Sequence, residues 1–148
     1  MNDKIEILNK QDIFSLSLSN LSDLPLFHKY YYDNYVLIKI LKENSKITSD
    51  IIIRKDKYLI DELTIKKIED YTNQNLNKLL QIYNNQTKDP LLRKDGGSSK
   101  INIQIKSVAF SIDTANIIVE KDIDVFNKFY SNIIDLIKEN GTIESSNK

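Results

Sequence analysis

The sequence predicts an α+β domain in which a mostly antiparallel sheet of five to seven strands carries two long helices on one face. The first observation is that several short segments alternate apolar and polar residues, as strands with one buried face do. The second is that two longer segments, about 61–86 and 124–140, repeat apolar residues every three or four positions, as amphipathic helices do. Strands and helices are thus segregated along the chain, and 148 residues suit a single domain over 1–148.

The first part of the chain predicts four strands and one short helix. Serines alternate with apolar residues over Asp12–Ser19, which indicates a strand with one buried and one wetted face. A helix is expected near 24–32, because Ser22 or Asp23 can cap it and Pro25 suits its first turn. Three further apolar runs, separated by short polar turns, predict an antiparallel meander. These runs are Tyr35–Leu41, Ile47–Arg54 and Lys57–Ile60.

The two long helices have recognisable ends. Asp61 can cap the first helix, and its apolar stripe weakens over Thr72–Asn75, so a kink, a break or partial exposure is expected there. Asp124 can cap the second helix, and Gly141 can end it with a left-handed residue. Residues 142–148 beyond this helix are expected to fray.

The best-specified strand of the predicted sheet is Ile101–Asp113. Its apolar residues occupy odd positions up to Ile105 and even positions from Val108 onwards. Because successive side chains of a strand point to opposite faces, this flip of phase indicates a bulge near Lys106–Ser107 or a strand that passes between two covered faces. In the second case the sheet face near Phe110 would present an apolar strip to a partner.

Two connections flank this strand. Residues 87–100 contain one of the two prolines and two of the three glycines and show no periodic pattern, which predicts a long mobile loop. After the strand, Asp113–Asn116 can turn the chain, and Ile117–Lys121 is expected to form a shorter partner strand.

The composition argues against several functional classes. The 21 basic residues balance the 21 acidic ones, and only Arg54 and Arg93 are arginines, which disfavours a nucleic-acid partner. The absence of cysteine excludes disulfides, thiolate zinc sites and thiol catalysis. The first residues lack the apolar core of a signal peptide, and no apolar run approaches the roughly 18 residues of a membrane helix. We therefore expect a cytoplasmic protein with no membrane partner.

Residues suited to catalysis are scarce. His28 is the single histidine, so any histidine-based mechanism would depend on it. Paired carboxylates such as Asp61–Glu62 and Asp122/Asp124 are explained by the starts of helices, where acidic side chains are favoured. We predict no enzymatic activity, no catalytic residue, no cofactor and no metal. A metal-dependent hydrolase that uses the paired carboxylates is the weakest of the alternatives.

Two clusters have the chemistry of a protein-binding surface. The segment HKYYYDNY, residues 28–35, is rich in tyrosine, which combines a rigid apolar ring with a polar tip. The alternative is that Tyr31 and Tyr35 face the core while the other tyrosines lie at its rim. In the long loop, two adjacent leucines must either tuck into the domain or contact a partner. The residues predicted to bind protein are His28, Tyr30, Tyr32, Leu91, Leu92, Arg93 and Phe110.

These observations predict a small non-catalytic interaction domain that binds another protein or associates with itself. Its small size and neutral charge, and a richness in Ile, Lys and Asn that A/T-rich coding would produce, suit an immunity or antitoxin-like inhibitor, or an accessory protein of a phage or mobile element. This step rests on analogy only. The alternative is a single-stranded nucleic-acid-binding protein that uses the tyrosine cluster and the basic middle of the chain. Its basic residues would be Arg54, Lys55, Lys57, Arg93, Lys94 and Lys100.

Overall fold

The computed structural model describes residues 13–20, 35–88 and 99–144. These residues form seven strands and three α-helices, with a short 3₁₀ turn at Thr114–Asn116. In chain order the elements are β1 (Ile13–Ser19), β2 (Val36–Glu43), β3 (Lys46–Ile53), β4 (Asp56–Leu59), α1 (Glu62–Gln74), α2 (Leu76–Asn85), β5 (Lys100–Ile105), β6 (Val108–Asp113), α3 (Glu120–Asn140) and β7 (Thr142–Ile143).

The seven strands form one sheet in the order β6-β5-β1-β2-β3-β4-β7, and every neighbouring pair is antiparallel. Side chains from one face of this sheet and from the inner sides of the three helices form a single core. The predicted α+β class, with an antiparallel sheet and helices packed on one face, is confirmed. None of the described helices is long and apolar enough to cross a membrane.

The prediction of one continuous strand over Ile101–Asp113 is wrong. Lys106–Ser107 is the two-residue turn of a hairpin between β5 and β6. The directly opposed pairs are Ile105–Val108, Ile103–Phe110 and Ile101–Ile112. Opposed residues of antiparallel strands share a face, so the reversal of the chain by itself accounts for the flip of the apolar phase. Both apolar sets face the helices.

The position of Phe110 corrects a second expectation. Its side chain is only 8% exposed and belongs to the core between sheet and helices. The apolar strip expected on an uncovered face near Phe110 is therefore absent from the described part of the sheet.

The predicted break in the first long helix is confirmed. Helices α1 and α2 meet at Asn75, whose backbone N–H donates to the carbonyls of both Tyr71 and Thr72. The side-chain amide of Asn75 also donates to the Tyr71 carbonyl over 2.9 Å. An asparagine side chain competes in this way for the hydrogen bonds of the helix, which explains why the helix is interrupted there.

The region around the last helix differs from the prediction. Ile117–Lys121 is not a strand. Asp113 accepts a hydrogen bond from the Ala115 N–H and starts a 3₁₀ turn. Helix α3 then begins at Glu120, and not at Asp124 as predicted. Beyond α3, the segment expected to fray starts with β7, which pairs with β4. The predicted helix near 24–32, most of the loop 87–100 and the last four residues lie outside the described residues.

Candidate interaction surface

The sheet has a face that points away from the three helices, called here the open face. Because side chains alternate along each strand, the neighbours of core residues lie on it. In β1 these are Ile13, Ser15, Ser17 and Ser19, in β2 Leu37, Lys39, Leu41 and Glu43, in β3 Lys46, Thr48, Asp50 and Ile52, and in β4 Lys57 and Leu59. The described helices leave this face of the sheet uncovered.

The register between β2 and β3 sets opposite types of side chain beside each other on the open face. Lys39 is directly opposed to Asp50, and Glu43 is opposed to Lys46. The pair Leu41–Thr48 lies between these charged pairs, and the pair Leu37–Ile52 lies on the other side of Lys39–Asp50. The open face of β2 and β3 is therefore a ladder in which charged and more apolar pairs alternate.

The pair Lys39–Asp50 is exposed and available to a partner. Both side chains are exposed to solvent. They are directly opposed, yet no ion pair within 4 Å joins them among the described residues. Each charge can therefore be matched by a charge from another molecule.

A shallow depression lies beside this ladder. It has a volume of about 420 Å³ and is lined on the open face by Ser15, Ser17, Lys39, Leu41, Thr48 and Asp50. The depression exists because β1 contributes Ser15 and Ser17 to this part of the open face, and serine is shorter than the lysine and leucine of the neighbouring strand. The alternation of serine with apolar residues that predicted β1 thus also shapes the surface.

Two leucines of the open face are exposed to solvent. Leu41 is 40% exposed and Leu59 is 51% exposed. The register of β3 with β4 opposes Ile52 to Lys57, and its continuation sets Leu59 beside Asp50. Leu59, Asp50, Lys39 and Ser17 therefore form one row across four strands.

One edge strand of the sheet, β6, is partly covered by the side chain of Gln86, which follows the end of α2. The backbone N–H of Asp113 donates to Oε1 of Gln86 over 2.9 Å, and Nε2 of Gln86 donates to the Ser111 carbonyl over 3.3 Å. The amide of Gln86 thus substitutes for a peptide unit of a neighbouring strand. At the other edge, β7 is only two residues long. Short or occupied edges resist pairing with a further strand, which leaves the open face as the more accessible surface.

A second cleft, of about 560 Å³, lies at the end of the sheet between the β2–β3 hairpin and α1. Its charged groups include Lys42 and Glu69, which form an ion pair of 3.0 Å. Because these two side chains neutralise each other, neither is available as an isolated charge for a ligand. The other acidic residue in the lining, Glu62, lies in the exposed first turn of α1.

Asp61 and Tyr130, which lie outside the open face, have shifted pKa values. Hydrogen bonds from the Thr64 hydroxyl and the Thr64 N–H lower the pKa of Asp61, at 2.7 Å and 2.9 Å respectively, which confirms Asp61 as the cap of α1. Burial raises the pKa of Tyr130 to about 12, and the side chain of Ser99 partly opposes this increase. Among the described residues the Tyr130 hydroxyl makes no hydrogen bond of normal geometry. Helix capping therefore explains the pKa shift of Asp61, and burial explains that of Tyr130.

The paired carboxylates behave as helix-start residues. Asp61 and Glu62 lie at the start of α1, and the buried Asp122 lies in the first turn of α3, where it accepts a hydrogen bond from the Asn85 amide over 3.3 Å. In the part of the chain that the structure describes, no three acidic or histidine side chains lie close enough together to hold a metal ion.

The structure brings few of the predicted binding residues into view. His28, Tyr30, Tyr32, Leu91, Leu92 and Arg93 lie outside the described residues. Phe110 is described, and its ring lies in the core 5.7 Å from that of Tyr83. Sequence reasoning missed the row formed by Leu59, Asp50, Lys39 and Ser17, because its members come from four strands whose order was not predicted.

The basic residues of the nucleic-acid alternative are distributed as follows. Arg54 and Lys55 form the turn between β3 and β4. Lys57 lies 3.8 Å from Glu144, and Lys100 lies 3.8 Å from Asp113. Arg93 and Lys94 lie outside the described residues.

The fold and this surface define the protein as a two-layer α+β domain whose sheet is covered by helices on one side. Comparisons of the chain with protein-family models, with curated proteins and with solved structures found no match.

Proposed function

We propose that this protein is a small non-catalytic interaction domain that binds protein through the open face of its sheet. The observation that carries the proposal is the pair of exposed leucines on this face: Leu41 lines the depression beside Ser15 and Ser17, and Leu59 lies on β4 next to Asp50 of its lining. A protein surface with side chains of matching shape can fill the depression and cover both leucines.

Burial of the leucines supplies the favourable free energy. Full burial of one leucine side chain is worth about 1.5–3 kcal/mol. Since Leu41 and Leu59 are already about half covered, a partner would gain roughly 1 kcal/mol from each. The charged pairs between the apolar rows would contribute specificity and the rate of association more than affinity.

Protein is favoured over nucleic acid as the partner by the distribution of charge. Lys57 and Lys100 each have a carboxylate at 3.8 Å, and Lys39 on the open face lies directly opposite Asp50. A phosphate backbone approaching these lysines would also approach the acids, which weakens the electrostatic attraction on which nucleic-acid binding depends.

We assign the domain, by analogy, to the small cytoplasmic inhibitors of the immunity or antitoxin type, or to the accessory proteins of phages and mobile elements. What supports this is the neutral charge and the predominance of Ile, Lys and Asn, as A/T-rich coding produces. The predicted contributions of His28, Tyr30, Tyr32, Leu91, Leu92 and Arg93 remain predictions.

The proposal is tested by capture from an extract of the native host with the immobilised protein. Leu41→Lys and Leu59→Lys should abolish retention of any specifically bound protein, because each puts a charge where the partner needs an apolar contact. Leu63→Lys is the matched control, since Leu63 is 64% exposed on the first turn of α1, away from the open face. Circular dichroism and thermal melting verify that all three variants are folded. The same retention by wild type and by both open-face variants would refute binding through this face.

A further inference from the structure

We propose that the partner of the open face is a second copy of this chain, related to the first by a two-fold axis that runs parallel to the strands between β2 and β3. This inference rests on the proposed function and identifies the partner of the same surface. The two sheets would pack face to face, with strands aligned to within about 30° as twisted sheets require.

The register of β2 with β3 is the main argument. A two-fold axis between these strands places every open-face residue of β2 over the β3 residue that opposes it in its own chain. Lys39 of one copy then faces Asp50 of the other, and Glu43 faces Lys46. Contacts across a two-fold axis occur twice, so both charged pairs are formed in duplicate.

The apolar rows match under the same operation. Leu37 lies over Ile52 of the second copy, and Leu41 lies over the methyl-bearing Thr48. Charged rows therefore meet charged rows and apolar rows meet apolar rows along the whole hairpin. Such matching is the electrostatic complementarity that fixes the register of an interface.

The shapes of the outer strands are also complementary. The same axis places β4 of one copy over β1 of the other, so Leu59 lies over Ser17. Leu59 is 51% exposed, and Ser17 lines the depression of about 420 Å³. The half-exposed leucine of the row therefore lies over a serine that lines the depression.

Other positions of the axis match less well. An axis between β1 and β2 would place Glu43 over Ile13 and Lys39 over Ser17. An axis between β3 and β4 would place Lys57 over Ile52 and Asp50 over Leu59. Each arrangement leaves Lys39 or Asp50 over a neutral side chain, which carries a desolvation penalty without compensation. The axis between β2 and β3 pairs both of these charges and sets Lys57, at the border of the contact, over the neutral Ser19.

The area of contact predicts a weak dimer. Four strands about 4.8 Å apart and about seven residues long, at about 3.4 Å per residue, cover roughly 450 Å² per copy. The total of roughly 900 Å² is at the low end of specific interfaces, where complexes are transient. Association should therefore depend on protein concentration and weaken as salt is added.

The test is sedimentation equilibrium over a series of protein concentrations with two charge-reversal variants, Lys39→Glu and Asp50→Lys. The wild type should associate, and each variant alone should associate at least about tenfold more weakly because like charges then face each other twice. An equimolar mixture of the two variants should associate again, because the introduced glutamate of one chain faces the introduced lysine of the other. A purely intrachain effect of either substitution would not be reversed by mixing.

The matched control is Lys66→Glu. Lys66 and Asp70 are also adjacent and oppositely charged, with Nζ and Oδ1 2.9 Å apart, but they lie on the exposed side of α1. This variant should associate like the wild type. Circular dichroism spectra establish that each variant is folded.

Three results would overturn the inference. A wild type that remains monomeric at every concentration excludes self-association, and the proposed function then survives if capture of another protein still depends on Leu41 and Leu59. Association that neither charge reversal weakens places the dimer contact elsewhere on the surface. Failure of the mixed variants to associate rejects the axis between β2 and β3. The proposed function itself fails only if the leucine variants are also without effect on both capture and association.

Discussion

Asn132 on α3 donates a hydrogen bond from Nδ2 to the hydroxyl oxygen of Tyr71 on α1, over 2.6 Å. The ring of Tyr71 also stacks on Phe129, with centroids 5.5 Å apart and planes 7° from parallel. One residue thus connects α1 to α3 by both apolar and polar contacts. This contact helps to hold together the helical layer that covers one face of the sheet.

Tyr71→Phe should lower the free energy of unfolding by about 0.5–1.5 kcal/mol, the usual net contribution of one hydrogen bond. The ring stack on Phe129 would be retained, so the decrease reports the hydroxyl alone. Urea denaturation measures the change. Tyr83→Phe is the control, because the Tyr83 side chain is 42% exposed and stability should change little. An equal loss in both variants would contradict the assignment of the effect to Asn132.

Gln86→Glu should destabilise the protein by about 0.5–1.5 kcal/mol, the usual net contribution of one hydrogen bond, and expose part of the edge of β6. A carboxylate cannot donate to the Ser111 carbonyl, which Gln86 reaches over 3.3 Å, so that carbonyl loses its side-chain partner. The released edge should also make the protein more prone to aggregation, as measured by light scattering during storage. Gln81→Glu, on the exposed side of α2, carries the same charge change and should have neither effect.

Tyr130 should make the protein sensitive to alkali. Burial raises the pKa of Tyr130 in the folded state to about 12, above the ordinary value near 10. The unfolded chain therefore releases this proton first, and stability that is fully present below pH 10 is lost as the pH rises towards 12. A shift of this size corresponds to roughly 2–3 kcal/mol. Tyr130→Phe should remove that part of the pH dependence, as determined by denaturation at a series of pH values. Identical alkaline profiles would contradict the prediction.

Asp61 should contribute stability at neutral pH that is lost in acid. Hydrogen bonds from Thr64 lower the pKa of this carboxyl below the ordinary value of 3.8. Because the folded state holds the proton less tightly than the unfolded state, the contribution is present above pH 3.8 and disappears as the pH falls through the lowered value. Asp61→Ala should lower the melting temperature at pH 7 and have less effect in strong acid. An equal decrease of the melting temperature at pH 7 and in strong acid would contradict the prediction.

Local patterns predicted those elements whose signal lies within one segment. The serine alternation of β1 and the weakened stripe before Asn75 both concern neighbours in the chain. The same holds for Asp61, whose carboxylate caps the helix that starts at the next residue. Backbone periodicity and side-chain capping act over a few residues, so the sequence suffices to predict them.

The hairpin of β5 and β6 marks the limit of this reasoning. A bulge and a two-residue turn shift the apolar phase in the same way, and Lys106–Ser107 contains neither glycine nor asparagine to indicate a turn. Lys106 nevertheless has a φ of 55°, which a lysine adopts only because the pairing of Ile105 with Val108 requires it. The tertiary structure therefore decided between interpretations that the sequence left open.

The same distinction between local pattern and tertiary structure applies to the open face. The sequence by itself determined that Ser17 alternates with buried neighbours and that Leu59 lies in a short strand, because these properties depend on adjacent residues. Only the tertiary structure decided that Ser17, Lys39, Asp50 and Leu59 form one row, with the helices on the opposite side. The order of the strands is set by contacts between distant segments as they bury a common core, and no local pattern encodes it.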